Sequence, residues 1–502
     1  MVHRRLVALF LTITIVVTAC GGNVVLETSD DTAPLDESTT TLPQRDYAIE
    51  WSPCPDDEEL DCGRLAVPYD YAQPDLGDFS LYVVRRPAAD PAQRIGSMLV
   101  NPGGPGFGGS DVAANAFFYF SPELLSRFDI IGWDPRGTGK STPAIDCIDE
   151  YDKYFGVDSP PNDEAATLAL IDLTREYVDA CVERSAAILP YVSTVASATD
   201  MDSLRRALGE EKITYFGFSY GSELGATWLS LFPDTVRAAV LDGATDFNST
   251  SFDQSLAQLK GFESQLDAFL DACAKRGVSC PIYNDGDPGA FFDELSLQID
   301  AEPIVVRADR TPVTQGVFYT AVAQALYSST YWSMLERALA NAAEGDGSGL
   351  LSLYDEYMQC DGDGRCDDTL EAFMAISCLD DPGAESVEEV NANLPIYAAA
   401  AKRLGEGWGY GYTCALWPER AAQRPTLNGA GAPPVVVIGT TGDAATPLDS
   451  TRKAAAALQS GVLVIVDAAQ HTGYGANACI IEVTDTYLTT LTVPRNELLC
   501  AN

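Results

Sequence analysis

The chain has 502 residues, 46% of them hydrophobic, and carries 73 acidic against 31 basic side chains, a formal net charge of −42. That balance excludes a nucleic-acid partner, whose phosphates would be repelled, and leaves most carboxylates as a solvated surface. The same field attracts cationic groups such as peptide amino termini.

In chain order, Arg4-Arg5, the apolar run from Leu6 to Val17 and Thr18-Ala19-Cys20-Gly21 predict a secretory signal over residues 1–19. The apolar stretch is too short to span a bilayer, and small residues mark the cut. Val17-Thr18-Ala19-Cys20 has the form of a lipobox, which predicts lipidation of Cys20 and attachment to the extracytoplasmic face of a bacterial cell membrane. Residues 20–46 are rich in Thr, Ser, Asp, Glu and Pro and bury too little apolar surface to offset chain entropy, so they are expected to form a flexible tether.

A half-buried strand is expected at 79–86, and short buried strands at 95–100 and 128–133. Helical spacing follows over 197–209, with Thr199 or Asp200 as N-cap and Gly209 as the stop. The β-branched and aromatic run at 212–216 then breaks into Gly217-Phe218-Ser219-Tyr220-Gly221, the sequence form of a nucleophile elbow. Further strands are expected at 238–243, 434–439 and 461–466. Strands alternating with helices predict an α/β, doubly wound, mostly parallel sheet. Between 246 and 425 the rhythm stops and helical patterns such as 254–274 and 320–342 take over, which predicts a helical cap inserted between core segments 47–245 and 426–502.

Acyl transfer by serine needs a nucleophile, a base, an acid that orients the base, and donors for the oxyanion. Ser219 is the candidate nucleophile, Asp443 after the strand at 434–439 the acid, and His471 after the strand at 461–466 the base. Their order is that of α/β-hydrolases. The chain has only two histidines and His3 lies in the expected signal, so His471 is the one available base. The oxyanion donors are expected to be the N–H of Tyr220 and that of Gly104 in the loop Asn101-Pro102-Gly103-Gly104-Pro105-Gly106, because successive glycines let N–H groups converge. That loop lacks the Lys-Ser/Thr ending of a phosphate loop. Asp134 and Arg136 are read as structural, Thr446 as a partner of the Asp443 loop, and 361–368 as a solvated disulfide turn rather than a calcium loop. No metal or cofactor is called for.

The segments Asn101-Pro102-Gly103-Gly104-Pro105-Gly106, Asp134-Pro135-Arg136-Gly137-Thr138-Gly139-Lys140-Ser141, Gly217-Phe218-Ser219-Tyr220-Gly221-Ser222, Ala375-Ile376-Ser377-Cys378-Leu379-Asp380 and Cys414-Ala415-Leu416-Trp417-Pro418 resemble the motif series of actinobacterial tripeptidyl aminopeptidases. These are secreted or lipid-anchored serine exopeptidases of peptidase family S33, related to proline iminopeptidase. The resemblance covers nearly all of the chain after the tether and implies release of short peptides, typically tripeptides, from free N-termini. One departure is Gln470, which stands before His471 where the pattern leads one to expect glycine.

An exopeptidase must hold the substrate ammonium, and Glu223, Asp380 and Asp381 are the candidate carboxylates. Of thirteen cysteines, those other than Cys20 fall into close neighbours, giving the expected pairs Cys54–Cys62, Cys147–Cys181, Cys273–Cys280, Cys360–Cys366, Cys378–Cys414 and Cys479–Cys500. The expectation is thus an exported, monomeric serine exopeptidase acting on peptides with free N-termini. The rivals are an envelope esterase or lipid hydrolase with the same triad, and a non-enzymatic binding protein on a hydrolase fold.

Overall fold

Among the described residues ten strands form one sheet: β1 (Ser52–Cys54), β2 (Asp57–Pro68), β3 (Asp78–Arg86), β4 (Gly96–Asn101), β5 (Phe128–Trp133), β6 (Ile213–Phe218), β7 (Val236–Asp242), β8 (Val435–Thr440), β9 (Gly461–Val466) and β10 (Leu498–Cys500). The computed structural model describes residues 45–380, 386–420 and 424–501, so the expected signal, Cys20, most of the tether and Asp381 lie outside the described residues. Gln44–Asn502 form one compact unit.

The spatial order is β1-β2-β3-β5-β4-β6-β7-β8-β9-β10. Neighbours from β5 through β10 run parallel, while β1, β2 and β3 continue the sheet with antiparallel pairs. Every residue of β4, β5, β6 and β8 is buried, as required of parallel strands covered by helices on both faces. Each fully buried Val, Ile or Phe there contributes roughly 1.5–3 kcal/mol. From β4 the chain moves one way to β5 and the other way to β6. The crevice at that switch point, beyond the carboxyl ends of the strands, is where such sheets bind ligands. Register pins it further: Asn101 pairs with Gly217, so the glycine-rich loop and the elbow leave the sheet side by side.

The strand expectations hold to within a residue or two, but β1, β2 and β10 go beyond them. β1 and β10 have three residues each, too few for a period, and β2 begins Asp57-Glu58-Glu59, which reads as surface. The helix expected at 197–209 runs Thr194–Ala207, with Ser193 Oγ accepting from Ala196 N–H at 3.3 Å. Asp200 does not cap because its carboxylate turns inward to Arg136 Nε at 2.8 Å, both side chains being fully buried. Arg136 also donates to the carbonyls of Tyr69 and Tyr191, and Asp134 accepts from the Ser110 and Lys140 N–H groups, so both residues brace loops at this end of the sheet.

Between β7 and β8 the regular elements are helical. The long helix Ser251–Arg276 is followed by Pro288–Ala301, Gln315–Leu326, Trp332–Ala343, Ser348–Met358, Thr369–Asp380 and Val387–Ala400, then the short Tyr412–Leu416. The single pattern expected at 320–342 is two helices. They break where the Tyr327 carbonyl accepts from His471 N–H at 2.7 Å and the Ala469 carbonyl accepts from Ser329 N–H at 2.9 Å. Much of the insertion has its own core, including Phe262, Phe269, Phe318, Leu339 and Tyr354. Helix Thr369–Asp380 instead sends Ala372, Ala375, Ile376 and Leu379 into the cluster that packs on the sheet.

Disulfides join Cys54–Cys62, Cys147–Cys181, Cys273–Cys280, Cys360–Cys366, Cys378–Cys414 and Cys479–Cys500. Bonds of this number belong to an oxidising, extracytoplasmic compartment. Among the described residues no helix is long and apolar enough to cross a membrane. The turn at 361–368 is closed by Cys360–Cys366, and Asp361 Oδ1 accepts from the Asp363 and Arg365 N–H groups.

Candidate active site

Ser219 stands between β6 and helix Tyr220–Leu231 with φ 54° and ψ −126°. A non-glycine residue there is strained by about 1–3 kcal/mol, held by surrounding structure. Close packing does the holding: a Cβ on Gly217 would lie 2.3 Å from the Gly221 carbonyl, and one on Gly221 2.8 Å from the Asn101 carbonyl. Ser219 N–H donates to the Asp242 carbonyl at 2.8 Å, tying the elbow to the end of β7.

Asp443 follows β8, and His471 follows β9. His471 Nδ1 lies 2.9 Å from Asp443 Oδ1 and 3.1 Å from Oδ2. Asp443 is surrounded by donors: Ala445 N–H at 3.0 Å and Thr446 N–H at 2.8 Å reach Oδ1, while Thr446 Oγ1 at 3.0 Å and Thr472 N–H at 3.3 Å reach Oδ2. Burial disfavours the charged His471 imidazolium, but the Asp443 charge and hydrogen bond outweigh it and raise the pKa above its ordinary value. His471 Nε2 is buried and has no hydrogen-bond partner among the described residues, so no bond to Ser219 is closed in this state. Such contacts tighten when substrate arrives. Tyr327 meets the imidazole edge to face, with ring centroids 5.5 Å apart. Gln470, the departure from the family pattern, donates through its side-chain amide to the Thr472 carbonyl at 3.1 Å, while its backbone carbonyl accepts from Thr440 Oγ1 at 2.6 Å.

The glycine-rich loop lies over the elbow. A Cβ on Gly103 would meet the Phe218 carbonyl at 2.6 Å and Tyr220 N at 3.0 Å. Gly103 N–H is engaged by Asn101 Oδ1 at 3.0 Å, whereas Gly104 lines the cavity beside Ser219 and Tyr220. Tyr220 N–H belongs to the first helical residue and has no acceptor within the helix.

That cavity has a volume of about 470 Å³ and is walled on one side by strand-end loops and on the other by the insertion. Glu223, Asp380 and Arg424 line it together with Ser219. Glu223 pairs with Arg424. Asp380 accepts from Thr194 N–H at 2.8 Å through Oδ2, while its buried Oδ1 has no partner among the described residues. Burial pushes the Asp380 carboxyl up to about 6. Sequence reasoning missed Arg424, Tyr327 and Asp242; a lone residue of each type in a loop or helix carries no pattern, and only folding brings them to the site.

The sheet order, the strained serine after β6 and the Asp–His pair after β8 and β9 define an α/β-hydrolase of the serine type. The chain belongs to the α/β-hydrolase family: residues 96–279 match the α/β hydrolase fold, and residues 401–500 match the TAP-like protein family. It is 33% identical to serine protease Hip1 of Mycobacterium tuberculosis, covering 91% of this chain and 92% of that one. Identity to carboxylesterase B of the same organism is 36%, over 88% and 86% of the two chains. To the tripeptidyl aminopeptidase of Streptomyces lividans it is 30%, over 90% and 86%. The protein is an enzyme, a serine hydrolase related to peptidases.

Proposed function

We propose that the protein is a serine exopeptidase that releases short peptides, tripeptides above all, from free N-termini. The observation that carries this reading is one cavity holding both a strained serine and, at Asp380, a buried carboxylate oxygen with no partner among the described residues. Ser219 Oγ attacks the scissile carbonyl carbon and passes its proton to His471 Nε2, with Asp443 orienting the ring. The N–H groups of Tyr220 and Gly104 take the oxyanion charge. The C–N bond then breaks, the leaving amine takes the proton from His471, and water repeats the sequence on the acyl-enzyme to free Ser219.

Asp380 is the anchor for the substrate ammonium. Glu223 is neutralised by Arg424, so the cluster retains one negative charge when Asp380 is ionised, enough for one cation. Residues 246–425 act as the cap that closes the cavity and limits it to chain ends. The enzyme works as a monomer, tethered through 20–46 to lipidated Cys20 on the outer face of the cell membrane.

Rates on free tripeptide anilides, their N-acetylated forms and aryl esters test this reading. Strong preference for the free tripeptide supports it, and equal cleavage of blocked peptides overturns the exopeptidase assignment. A second reading, esterase action by the same triad, is favoured by the 36% identity to a protein named carboxylesterase B. It prevails if esters are cleaved and free peptides are not.

A further inference from the structure

We propose that Asp242, which none of the assigned site roles includes, is a positioning residue that fixes His471 relative to Ser219; the inference rests on the serine-peptidase reading above. Asp242 ends β7, which lies between β6, the strand of Ser219, and β8, the strand of Asp443. It is fully buried. A buried carboxylate is costly unless its partners are well placed, so its retention here needs a cause.

The cause is a three-way joint. The backbone carbonyl of Asp242 accepts from Ser219 N–H at 2.8 Å. Its carboxylate accepts from two successive amides of the histidine loop, Gly473 N–H to Oδ1 at 2.7 Å and Tyr474 N–H to Oδ2 at 2.8 Å. Two adjacent N–H groups on one carboxylate fix both the position and the tilt of the loop. The following residue, Gly243, donates to the Ile438 carbonyl of β8 at 2.9 Å. It has φ +71°, and a Cβ there would come within 3.2 Å of His471 Cε1 and 3.1 Å of Thr446 Oγ1. Asp242 and Gly243 therefore touch the nucleophile's backbone, the acid's strand and the base's loop at once.

Asp242 does not duplicate Asp443. Asp443 faces His471 Nδ1 with both oxygens, whereas both oxygens of Asp242 are committed to backbone N–H groups beyond the ring. Its influence on the imidazole is by placement and by charge. The charged and titratable groups that act on it are His471 and Asp443, and burial pushes its carboxyl up to about 7.

The test uses the full enzyme with Asp242→Asn and Asp242→Ala, a free tripeptide anilide, and a fluorophosphonate probe. Asparagine keeps the shape but offers one acceptor instead of two. We expect kcat to fall about 10²-fold with KM within about twofold, since a small displacement of the base costs that much. Probe labelling should slow in parallel. The acid limb of kcat/KM should move to lower pH, because removing a negative neighbour destabilises the imidazolium. An unchanged kcat, or a lower kcat with the acid limb unmoved, overturns the inference and leaves the residue a fold element only. Ser219→Ala in the same assay separates the failures: retained turnover there overturns the serine reading and this inference with it, while its loss beside a fully active Asp242→Asn removes the inference alone. If neither Asp242 variant folds, isotope labelling decides on the native enzyme. The His471 imidazole signal should titrate with two inflections, its own and that of the buried carboxyl, and a single inflection overturns the proposal.

Discussion

The loops at the ends of β4, β6 and β8 and the helical insertion between β7 and β8 line the same cavity, yet they are held by different physics. On the sheet side, the reactive side chains stand at or a few residues beyond the ends of strands hydrogen-bonded to parallel neighbours, so register brings those strand ends together. On the insertion side, Asp380 and Arg424 depend on side-chain packing, ion pairs and the Cys378–Cys414 bridge. The lesson is a division of tasks: a rigid frame for bond making, and a variable wall for choosing what enters.

The largest losses should come from the frame. Ser219→Ala or His471→Ala should lower kcat by about 10⁴–10⁶-fold with the thermal midpoint unchanged. Steady-state turnover and circular dichroism check this, and a variant with substantial remaining activity would refute the single-base arrangement. The wall should respond less and differently. Asp380→Asn is expected to cut kcat/KM on free tripeptide anilides by about 10–100-fold, the worth of one charged hydrogen bond, while aryl ester hydrolysis stays near wild type. Equal losses on both substrates would erase the distinction.

The two sides should also separate by pH. A neutral His471 is needed as base, and its pKa is raised above the ordinary value near 6.5 by Asp443, so kcat should fall as pH drops through a midpoint above 6.5. Asp380 holds an ammonium only when ionised, so KM should rise separately as pH falls through about 6. Coincident limbs in kcat and KM would argue that one group controls both. The smallest effect on turnover should come from the bridges. In the chain-entropy account, losing Cys378–Cys414, a sequence separation of 36, costs about 4 kcal/mol, against about 2 kcal/mol for Cys360–Cys366, a separation of 6. Denaturant midpoints of the Cys→Ser pairs measure this, and the Cys378–Cys414 variant should raise KM while kcat holds.

The frame was the legible part. Buried parallel strands are short apolar runs ending in glycine or charge, so Gly217-Phe218-Ser219-Tyr220-Gly221, Asp443 after β8 and His471 after β9 stand out without any contact being known. Strand order and pairing then bring those ends together as a consequence of sheet geometry. The wall was not legible in the same way. A helix boundary in the core escaped as well: the helix expected to start at Thr199 or Asp200 starts at Thr194, because Asp200 satisfies its charge on Arg136, 64 residues away. The helix expected across 320–342 breaks at Tyr327, because that backbone is spent on the histidine loop.

Residue types and their order along the chain thus determined the fold class and the serine, acid and base candidates, since those depend on local period and turn chemistry. Tertiary structure decided the rest: that Glu223 is taken by Arg424, that Asp380 keeps an oxygen without a partner among the described residues, and that Asp242 holds the histidine loop. Such long-range pairings depend on burial and on which donors remain unspent after folding, and neither is written in any local stretch of sequence.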